Sequence, residues 1–403
     1  MGGIVVVGGG QAGASLVAKL RTLGYDGAVT LISDEPVPPY QRPPLSKAYL
    51  LGDMTAERLY LRPAEFYAEQ NIGLKLSTKV DAIDPGAKTL QANGETIAYD
   101  HLALCTGSSP RLLPAAIGGD LEAVYAVRTL ADVDRMAQEF TAGRKVLVVG
   151  GGYIGLEAAA VASKLGLQVT LVEMADRILQ RVAAPETSDF FRSLHTSHGV
   201  TIREGIGLER LTGQGRVTGA ALSDGSELDV DFVIVGVGIA PGVQLAEAAG
   251  LAIANGIEVD AHGRTSDPSI WAAGDCASLP YRGTRIRLES VQNAIDQAEA
   301  VAANMLGADI GYEPKPWFWS DQYDVKLQIA GLNTGYDKVI VRQGDKPGTV
   351  SHWYYRGDVL LAVDAMNDAR NYMIGKRLIE AGRSPAPDAI ADPDTDMKAL
   401  LKA

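Results

Sequence analysis

The residues in this chain best suited to chemistry are glycines and carboxylates that recur in two similar runs. The first run is Gly8-Gly9-Gly10-Gln11-Ala12-Gly13, and the second is Gly150-Gly151-Gly152-Tyr153-Ile154-Gly155. Glycines at this GxGxxG spacing permit a tight turn and let backbone N–H groups hold a pyrophosphate. An acid after the next strand takes the ribose hydroxyls of a dinucleotide, and Asp34 and Glu173 are the candidates.

Each glycine run stands between a predicted strand and a predicted helix. Apolar strands at Ile4–Val7 and Lys145–Val149 come first, and the helices end near Leu23 and Leu165. A second strand then leads to each acid, and a later apolar strand ends in a threonine or glycine turn. The duplication predicts two Rossmann-like dinucleotide-binding domains of the α/β class.

Composition limits the other chemistry that the chain can perform. Its 403 residues are 46% hydrophobic and 21% charged, which predicts a soluble globular protein of two or three domains. Cys105 and Cys276 lie far apart, so the sequence predicts no metal cluster, no CxxC pair and no disulfide framework. Histidines His195 and His198 lack further ligands nearby, and we interpret them as a solvated helix end. Any redox chemistry therefore needs a bound organic cofactor.

Charge and targeting signals exclude other classes. The formal net charge of -12 argues against non-specific nucleic-acid binding, and no apolar run is long enough to span a membrane. The start at Ile4 lacks the basic region of a signal peptide, which predicts a cytoplasmic protein. A helix is expected from Ser290 to Met305, then a domain of alternating strands begins near Tyr312. The proline- and aspartate-rich stretch 385–396 is expected to lie on the surface or to fray.

Several further runs are more specific than the glycine turns. They are residues 42–47 (RPPLSK), 150–157 (GGGYIGLE), 274–277 (GDCA), 289–294 (ESVQNA) and 316–323 (PWFWSDQY). Over nearly the whole chain these runs resemble the FAD-dependent pyridine-nucleotide reductases of the glutathione-reductase superfamily, and within it the NADH-dependent ferredoxin reductases. The resemblance implies a glutathione-reductase-like fold, with FAD and NAD domains and a C-terminal α+β interface domain. It implies an FAD domain at 1–109 and 240–312, an NADH domain at 110–239 and a C-terminal domain at 313–403.

The resemblance also implies which residues hold the cofactors. For FAD they are Gly8, Gly10, Gln11, Ala12, Gly13, Asp34, Arg42, Lys47, Val80, Thr106, Gly107, Arg128, Gly274, Asp275, Val291 and Trp319. For NADH they are Gly150, Gly152, Tyr153, Ile154, Gly155, Glu157, Glu173 and Gly238. The backbone near Val291, at a helix N-terminus, is expected to supply positive potential to the flavin.

Four residues are implied to act in catalysis. In the resembling enzymes the lysine at position 47 sits by the flavin and pairs with the glutamate at 157, and we expect the pair to orient cofactor and substrate rather than to transfer a proton. Tyr153 covers the flavin until nicotinamide displaces it, with a packing role as the alternative. Trp319 lies near the flavin or the nicotinamide, with interdomain packing as the alternative. Glu173 favours NADH over NADPH because a carboxylate repels a 2′-phosphate, although Arg177 lies nearby.

The segment 36–51 has no cysteine, whereas the disulfide reductases of the superfamily place a CxxxxC there. Electrons must then pass from the flavin directly to an acceptor. The resulting prediction is an NADH:ferredoxin oxidoreductase that takes a hydride from NADH and delivers single electrons to a [2Fe-2S] ferredoxin, which supplies a cytochrome P450 or an oxygenase. Rubredoxin reductase, another NADH-dependent FAD reductase and an NADH-sensing interaction module stay open. We expect a monomer or weak homodimer and candidate docking arginines, which are Arg58, Arg62, Arg285 and Arg287.

Overall fold

The computed structural model describes residues 2–402, which divide into two compact units. The first unit comprises the chain up to Arg42, residues 55–109 and residues 239–316. The second unit comprises residues 43–54, residues 110–238 and the chain from Trp317 onward. The assignment of FAD and NADH domains stays a prediction.

The strands are, in chain order, β1 Ile4–Val7, β2 Val29–Ile32, β3 Ile72–Lys75, β4 Val80–Asp84, β5 Thr89–Ala92, β6 Glu95–Ala98, β7 His101–Leu104, β8 Ser108–Pro110, β9 Val124–Ala126, β10 Lys145–Val149, β11 Gln168–Glu173, β12 Thr201–Glu204, β13 Leu208–Gln214, β14 Arg216–Leu222, β15 Glu227–Asp229, β16 Phe232–Val235, β17 Ile239–Pro241, β18 Ile257–Glu258, β19 Ile270–Ala272, β20 Ala277–Tyr281, β21 Thr284–Ile286, β22 Trp317–Gln322, β23 Val325–Gly331, β24 Lys338–Gln343, β25 Val350–Arg356 and β26 Val359–Met366.

The α-helices are α1 Gln11–Thr22, α2 Ala56–Leu59, α3 Ala64–Glu69, α4 Leu130–Ala137, α5 Tyr153–Lys164, α6 Pro185–Ser197, α7 Gln244–Ala248, α8 Val291–Met305, α9 Ala369–Glu380 and α10 Pro387–Ala391. Short 3₁₀ turns occupy Pro43–Ser46, Ala115–Ile117 and Ala399–Leu401. Within residues 2–402, no helix is both long enough and apolar enough to cross a membrane.

A five-stranded parallel sheet forms the centre of the first unit. Its strand order is β19-β7-β1-β2-β3, and every residue of β1 is buried. A strand buried on both faces needs apolar side chains throughout, which explains the sequence Ile-Val-Val-Val. Helices α1 and α8 pack against each other beside this sheet, and their shared core includes Leu16, Ala298 and Val301.

The second unit repeats this arrangement in its own parallel sheet. The strand order is β12-β11-β10-β16-β9, so β10 lies between β11 and β16 as β1 lies between β2 and β7. The registers also correspond, because Val7 pairs with Ile32 and Val149 pairs with Val172 immediately before the two glycine runs. The duplication predicted from the sequence is therefore present in the fold.

An antiparallel sheet of order β22-β23-β26-β25-β24 forms the C-terminal part of the second unit. Helix α9 packs on it, and Trp353, Tyr355 and Leu378 belong to the buried core. Most residues of the stretch 385–396 are exposed, so the first of its two sequence expectations, a surface position, is met, and the stretch is held in place. Arg342 is only 9% exposed and donates to the backbone carbonyls of Ile390, Asp392, Pro393 and Thr395, which fastens this stretch to the sheet.

Candidate functional site

The first glycine run forms a tight turn between β1 and α1. Gly8 has a φ of 121°, and a Cβ there would lie 2.0 Å from the carbonyl oxygen of Cys105. A Cβ on Gly13 would lie 2.0 Å from the carbonyl oxygen of Gly8. At Gly10, by contrast, a Cβ would meet no heavy atom of the described chain within 4 Å. Two glycines thus permit the turn, and the third borders open space.

The second glycine run has the same geometry between β10 and α5. Gly150 has a φ of 105°, and a Cβ on Gly155 would lie 2.1 Å from the carbonyl oxygen of Gly150. At Gly152, the equivalent of Gly10, the space around a Cβ is again empty to 4 Å among the described residues. In residues 2–402 no N-cap side chain binds the first N–H groups of α1 or α5, which leaves these groups available to a ligand. Each turn therefore fits the pyrophosphate of a dinucleotide.

The acid after the second strand differs between the two turns. Glu173 ends β11, and its carboxylate accepts the N–H of Gly151 at 2.7 Å and that of Ala175 at 2.8 Å. The strand registers place Ser33 in the equivalent position, and a Cβ on Gly9 would lie 2.4 Å from its hydroxyl oxygen. Asp34 lies one residue further and is exposed. Its role at the FAD ribose stays a prediction.

Other predicted FAD residues follow the carboxyl ends of neighbouring strands in the first unit. Thr106 and Gly107 follow β7, while Gly274 and Asp275 follow β19. In open α/β sheets, ligands bind beyond these carboxyl ends. The Thr106 hydroxyl donates to the carbonyl of Gly242 at 2.5 Å, which holds this loop in place.

The same region includes side chains that bind one another. The Ser108 hydroxyl donates to Asp275 Oδ2 at 2.9 Å, and the Arg42 guanidinium forms an ion pair with Glu35. Val80 begins β4, a strand of a separate antiparallel sheet. The predicted FAD residues of the first unit thus lie mainly on loops at one edge of its parallel sheet, and Val80 lies on another element.

Helix α8 begins beside the glycine turn of the first unit. Val291 is its first residue, and Ser290 caps it by accepting the N–H of Asn293 at 3.2 Å. Further along the helix, the Gln297 side chain accepts the N–H of Gly274 at 3.0 Å. A Cβ on Gly274 would lie 2.9 Å from Cβ of Ala12. These contacts fix the helix N-terminus relative to the turn.

The second unit contains a buried ion pair between Lys47 and Glu157. Lys47 Nζ lies 3.0 Å from Glu157 Oε1, and the side chains are 16% and 7% exposed. Ser46 and Ser320 donate hydroxyl protons to the two carboxylate oxygens, at 2.9 and 2.7 Å. Asp321 Oδ2 lies 3.6 Å from the same ammonium. A charge pair can be buried when its remaining hydrogen-bonding groups are satisfied in this way.

Sequence and local structure together explain how this pair is placed. The 3₁₀ turn Pro43–Ser46 packs on α5 and brings Lys47 to that helix. Burial raises the pKa of the Glu157 carboxyl group, and the Lys47 ammonium and the two serine hydroxyls oppose the rise. With these donors around it, the carboxylate is suited to fix the direction of the ammonium.

Aromatic rings surround the start of α5. The hydroxyl of Tyr153 is buried and has no partner among residues 2–402, whereas its ring packs on Phe318 with centroids 5.0 Å apart. Burial raises the pKa of this hydroxyl far above its ordinary value. Trp319 lies on β22 with its ring 5.5 Å from that of Trp317. The structure therefore brings Tyr153 and Trp319 to one aromatic cluster through Phe318, 6.4 Å from Trp319.

The remaining predicted residues lie around these features. Arg128 is half-buried just before α4, Ile154 is 40% exposed, and Gly238 has a φ of 102°. Cys105 and Cys276 are both buried, and burial raises the pKa of both thiols. Since a raised pKa disfavours the thiolate, both cysteines are suited to packing rather than to redox chemistry.

Sequence reasoning missed the groups that support Glu157. Ser46 and Ser320 lie within runs already identified as specific, directly before Lys47 and directly after Trp319, which was the available signal. His195 was predicted to be a solvated helix end, and this was wrong. It is fully buried on α6, and its Nε2 lies 2.7 Å from Gln322 Oε1. The exposed residue of the histidine pair is His198, which stacks on Tyr323.

Comparisons with known proteins agree with this geometry. Residues 2–298 match the family model described as pyridine nucleotide-disulphide oxidoreductase, and residues 317–401 match one described as reductase C-terminal. A ferredoxin--NAD(P)(+) reductase from a Sphingomonas species is 43% identical over 404 residues, which cover 99% of this chain and 97% of the relative. Putidaredoxin reductase from Pseudomonas putida is 42% identical, with 99% and 97% covered. The crystal structure of the covalent putidaredoxin reductase-putidaredoxin complex matches with a TM-score of 0.96 and 41% identity, covering 99% of this chain and 98% of the matched chain.

The fold and the two glycine turns define an oxidoreductase that binds dinucleotides, and this class is confirmed. The chain belongs to the pyridine nucleotide-disulphide oxidoreductase family. The predicted fold class, the resemblance to NADH-dependent ferredoxin reductases and the use of FAD and NAD(H) are also confirmed.

Proposed function

We propose that this protein is an FAD-dependent NADH:ferredoxin oxidoreductase whose acceptor is a [2Fe-2S] ferredoxin. The ferredoxin in turn supplies a cytochrome P450 or a ring-hydroxylating oxygenase. Full-length similarity to ferredoxin reductases supports the reaction class and a ferredoxin partner. The type of cluster, the terminal oxygenase, a cytoplasmic location and a monomeric or weakly dimeric state belong to the proposal.

The observation that carries the proposal is the buried Lys47–Glu157 pair in a chain whose two thiols are both buried elsewhere. Lys47 is the residue at which the run Arg42-Pro43-Pro44-Leu45-Ser46-Lys47 ends, and this segment has no cysteine. A thiol relay would need reactive cysteines, and burial raises the pKa of Cys105 and Cys276. Direct electron delivery to an external acceptor is the chemistry that these residues permit.

The chain's own residues bind and orient the two dinucleotides. The turn at Gly8–Gly13 and the start of α1 would hold the pyrophosphate of FAD, and the turn at Gly150–Gly155 and the start of α5 would hold that of NADH. When bound, FAD accepts two electrons together as a hydride and returns them one at a time. Lys47 and Glu157 would orient the reacting rings, and Tyr153 and Trp319 would enclose them and exclude water.

The preference for NADH over NADPH is inferred from Glu173, the last residue of β11. Both carboxylate oxygens of Glu173 accept backbone N–H groups, which holds the charge at the end of β11, where the adenine ribose of NADH would lie in this proposal. A 2′-phosphate there would meet this fixed negative charge. Arg177 keeps its positive charge while its Nη1 donates to the hydroxyl of Ser188 at 2.5 Å, and the preference rests on the fixed carboxylate of Glu173. The proposal is therefore an NADH rather than an NADPH enzyme.

Anaerobic stopped-flow absorbance tests the proposal. The purified holoenzyme is mixed first with NADH or NADPH, and then with [2Fe-2S] ferredoxins, rubredoxin, a quinone or oxygen. We expect rapid bleaching of the flavin by NADH, slow bleaching by NADPH, and rapid reoxidation by at least one [2Fe-2S] ferredoxin. Rapid reoxidation by rubredoxin alone would replace the acceptor in the proposal. A long-lived complex with NADH that no acceptor discharges would favour the sensing module instead.

A further inference from the structure

Glu157 lies at one end of a buried hydrogen-bond chain in the second unit. Ser320 Oγ is 2.7 Å from Glu157 Oε1, and Gln322 Nε2 is 3.2 Å from Ser320 Oγ. His195 Nε2 is 2.7 Å from Gln322 Oε1. Ser320, Gln322 and His195 are each fully buried, at 0% exposure. Three consecutive contacts therefore link helix α6 to the Lys47–Glu157 pair through strand β22.

The capacity of each group to donate or accept gives this chain one direction. An ammonium only donates and a carboxylate only accepts, so the Ser320 hydroxyl gives its one proton to Glu157. Ser320 Oγ then accepts from the amide NH₂ of Gln322, which leaves the Gln322 carbonyl oxygen to accept from His195 Nε2–H. Every donor in the chain thus points toward Glu157.

His195 has the properties that the first donor requires. Burial lowers its pKa to about 4, so the imidazole is neutral at pH 7 and has one N–H. With that proton on Nε2, the Nδ1 atom is an acceptor and lies 3.4 Å from the Tyr323 hydroxyl. Tyr323 stacks on the exposed His198 with ring centroids 3.7 Å apart, which covers the outer end of the chain.

We propose that Ser320, Gln322 and His195 are positioning residues for the Lys47–Glu157 pair. Together they form the Glu157 relay, which directs a hydroxyl proton at Oε1, keeps the carboxylate ionised and fixes its orientation toward Lys47. The inference rests on the proposed function, in which this pair orients the reacting rings. It extends the functional site to residues of α6 and β22 that touch no cofactor in the proposal.

The relay orients charge rather than conducting protons. A proton could pass through the Gln322 amide only by way of an unfavourable tautomer, so this residue interrupts proton transfer. Among residues 2–402, the ion pairs at Glu157 involve Lys47, at 3.0 Å, and Asp321, which lies 3.6 Å from the Lys47 ammonium. Substitutions in the relay leave both of these charges in place.

Two substitutions in the holoenzyme test the relay. Ser320→Ala removes a donor to Glu157, and Gln322→Met removes the group that orients the Ser320 hydroxyl while keeping an unbranched side chain. The pKa of a carboxyl group rises when its ionised form loses a hydrogen-bond donor. We therefore expect the pKa of Glu157 to rise by about one unit in Ser320→Ala and by less in Gln322→Met. One unit is a tenfold change in the proton equilibrium.

The first readout is infrared spectroscopy of the resting holoenzyme during a pH titration. The carboxylic acid C=O band of Glu157 is assigned by its loss in Glu157→Gln. We expect this band to persist to a higher pH in both relay variants than in the wild type. Gln343→Met, an exposed change on β24 of the same sheet, is the matched control and should leave the band unchanged.

The second readout is the pH profile of flavin bleaching by NADH. The profiles of Ser320→Ala and Gln322→Met should shift to higher pH, and the shift should vanish when Glu157→Gln is also present, because the relay acts through that carboxylate. Thermal unfolding of each variant shows that the fold is retained. If both variants keep the wild-type band and profile, the three residues only pack and the proposal is overturned.

The outcome separates this inference from the proposed function. The function is decided by whether the wild-type enzyme passes electrons to a ferredoxin. The proposal of the relay is tested by the protonation state of Glu157, which the infrared band reports in the resting enzyme before any turnover. A shifted band with no ferredoxin reduction would support the relay and remove the acceptor, whereas ferredoxin reduction with an unshifted band would overturn the relay alone.

Discussion

Two of the clusters of buried ionisable side chains in the second unit differ in their chemistry. Glu157 has an ammonium partner, whereas Asp364 on β26 has hydroxyl partners. Asp364 Oδ2 accepts from the Thr187 hydroxyl at 2.9 Å and from Tyr354, and His352 Nδ1 lies 2.7 Å from the same threonine oxygen. No cation of residues 2–402 pairs with this carboxylate, and burial raises the pKa of Asp364 to about 6. Burial also lowers the pKa of His352 to about 4.

These two shifts make opposite contributions to the pH dependence of stability. An acid whose pKa rises on folding stabilises the fold fully below its unfolded pKa of 3.8, and this contribution is lost as pH rises through about 6. A histidine whose pKa falls on folding contributes fully above 6.5, and this contribution is lost as pH falls through about 4. Each shift of about two units corresponds to about 3 kcal/mol. Between about pH 4 and 6 the two contributions therefore oppose each other.

Asp364→Asn is expected to remove only the acid's contribution. The amide oxygen still accepts from Thr187 and Tyr354, so the free energy of unfolding should rise with pH from 4 to 6.5 relative to the wild type. The reciprocal variant His352→Asn should show the opposite slope, a fall with pH over the same range. Urea unfolding of the holoenzyme at several pH values measures both. Parallel pH curves for the two variants and the wild type would contradict the assignment.

At the scale of elements, each glycine turn contains one glycine that the fold requires and another that borders open space where a ligand can bind. Gly13 and Gly155 have no room for a side chain, since a Cβ would come within 2.0 and 2.1 Å of a carbonyl oxygen. Gly10 and Gly152 have extended backbone angles and open space beside them. An alanine is thus compatible with the protein at the latter positions and intrudes only on what binds there.

We expect Gly152→Ala to weaken NADH binding at least about tenfold while FAD stays bound, because about 1.4 kcal/mol of lost pyrophosphate contact corresponds to that factor. Gly10→Ala should instead lower the FAD content of the purified protein. NADH titration and the visible flavin spectrum measure the two effects. Gly155→Ala is the contrasting variant, and it should destabilise the fold itself. Equal loss of FAD in Gly10→Ala and Gly152→Ala would contradict the assignment of the two turns.

The elements around these turns were largely predictable from sequence, because their signals are local. Strand β10 has the predicted bounds, and α8 begins at Val291, one residue after the predicted start at Ser290. Helix α1 begins at Gln11 rather than Ala14, since the last residues of the glycine run are already helical. The Glu157 relay was not predictable, because its contacts join residues 163 and 127 positions apart. Periodicity and local motifs do not contain such pairings.

At the scale of the whole molecule, charge limits where an acidic ferredoxin can dock. The chain has 37 basic and 49 acidic residues, so a local basic surface is required. Two of the four arginines that the sequence suggested for docking form hydrogen bonds or ion pairs within the protein. Arg285 donates to the carbonyls of Val259 and Ser278, and Arg287 pairs with Glu289 with its side chain only 12% exposed. Their role is better explained by holding the first unit together.

Arg58 and Arg62 are better suited to docking, because both are exposed near α2 and α3 of the first unit. The Arg62 guanidinium lies 5.6 Å from the centre of the Phe66 ring. This cation–π contact restricts the position of the exposed charge. Steering by such charges changes the association rate and weakens as salt screens it.

The double variant Arg58→Glu/Arg62→Glu is therefore expected to lower kcat/KM for ferredoxin about tenfold at low ionic strength, with the difference shrinking at high salt. Reduction of ferricyanide, a small acceptor that needs no docking surface, should stay at the wild-type rate, which shows that NADH and FAD chemistry is intact. Arg210→Glu, an exposed arginine on β13 of the second unit, is the charge-matched control. An equal loss in the control would indicate a general effect of net charge, and unchanged ferredoxin kinetics in the double variant would place the docking surface elsewhere.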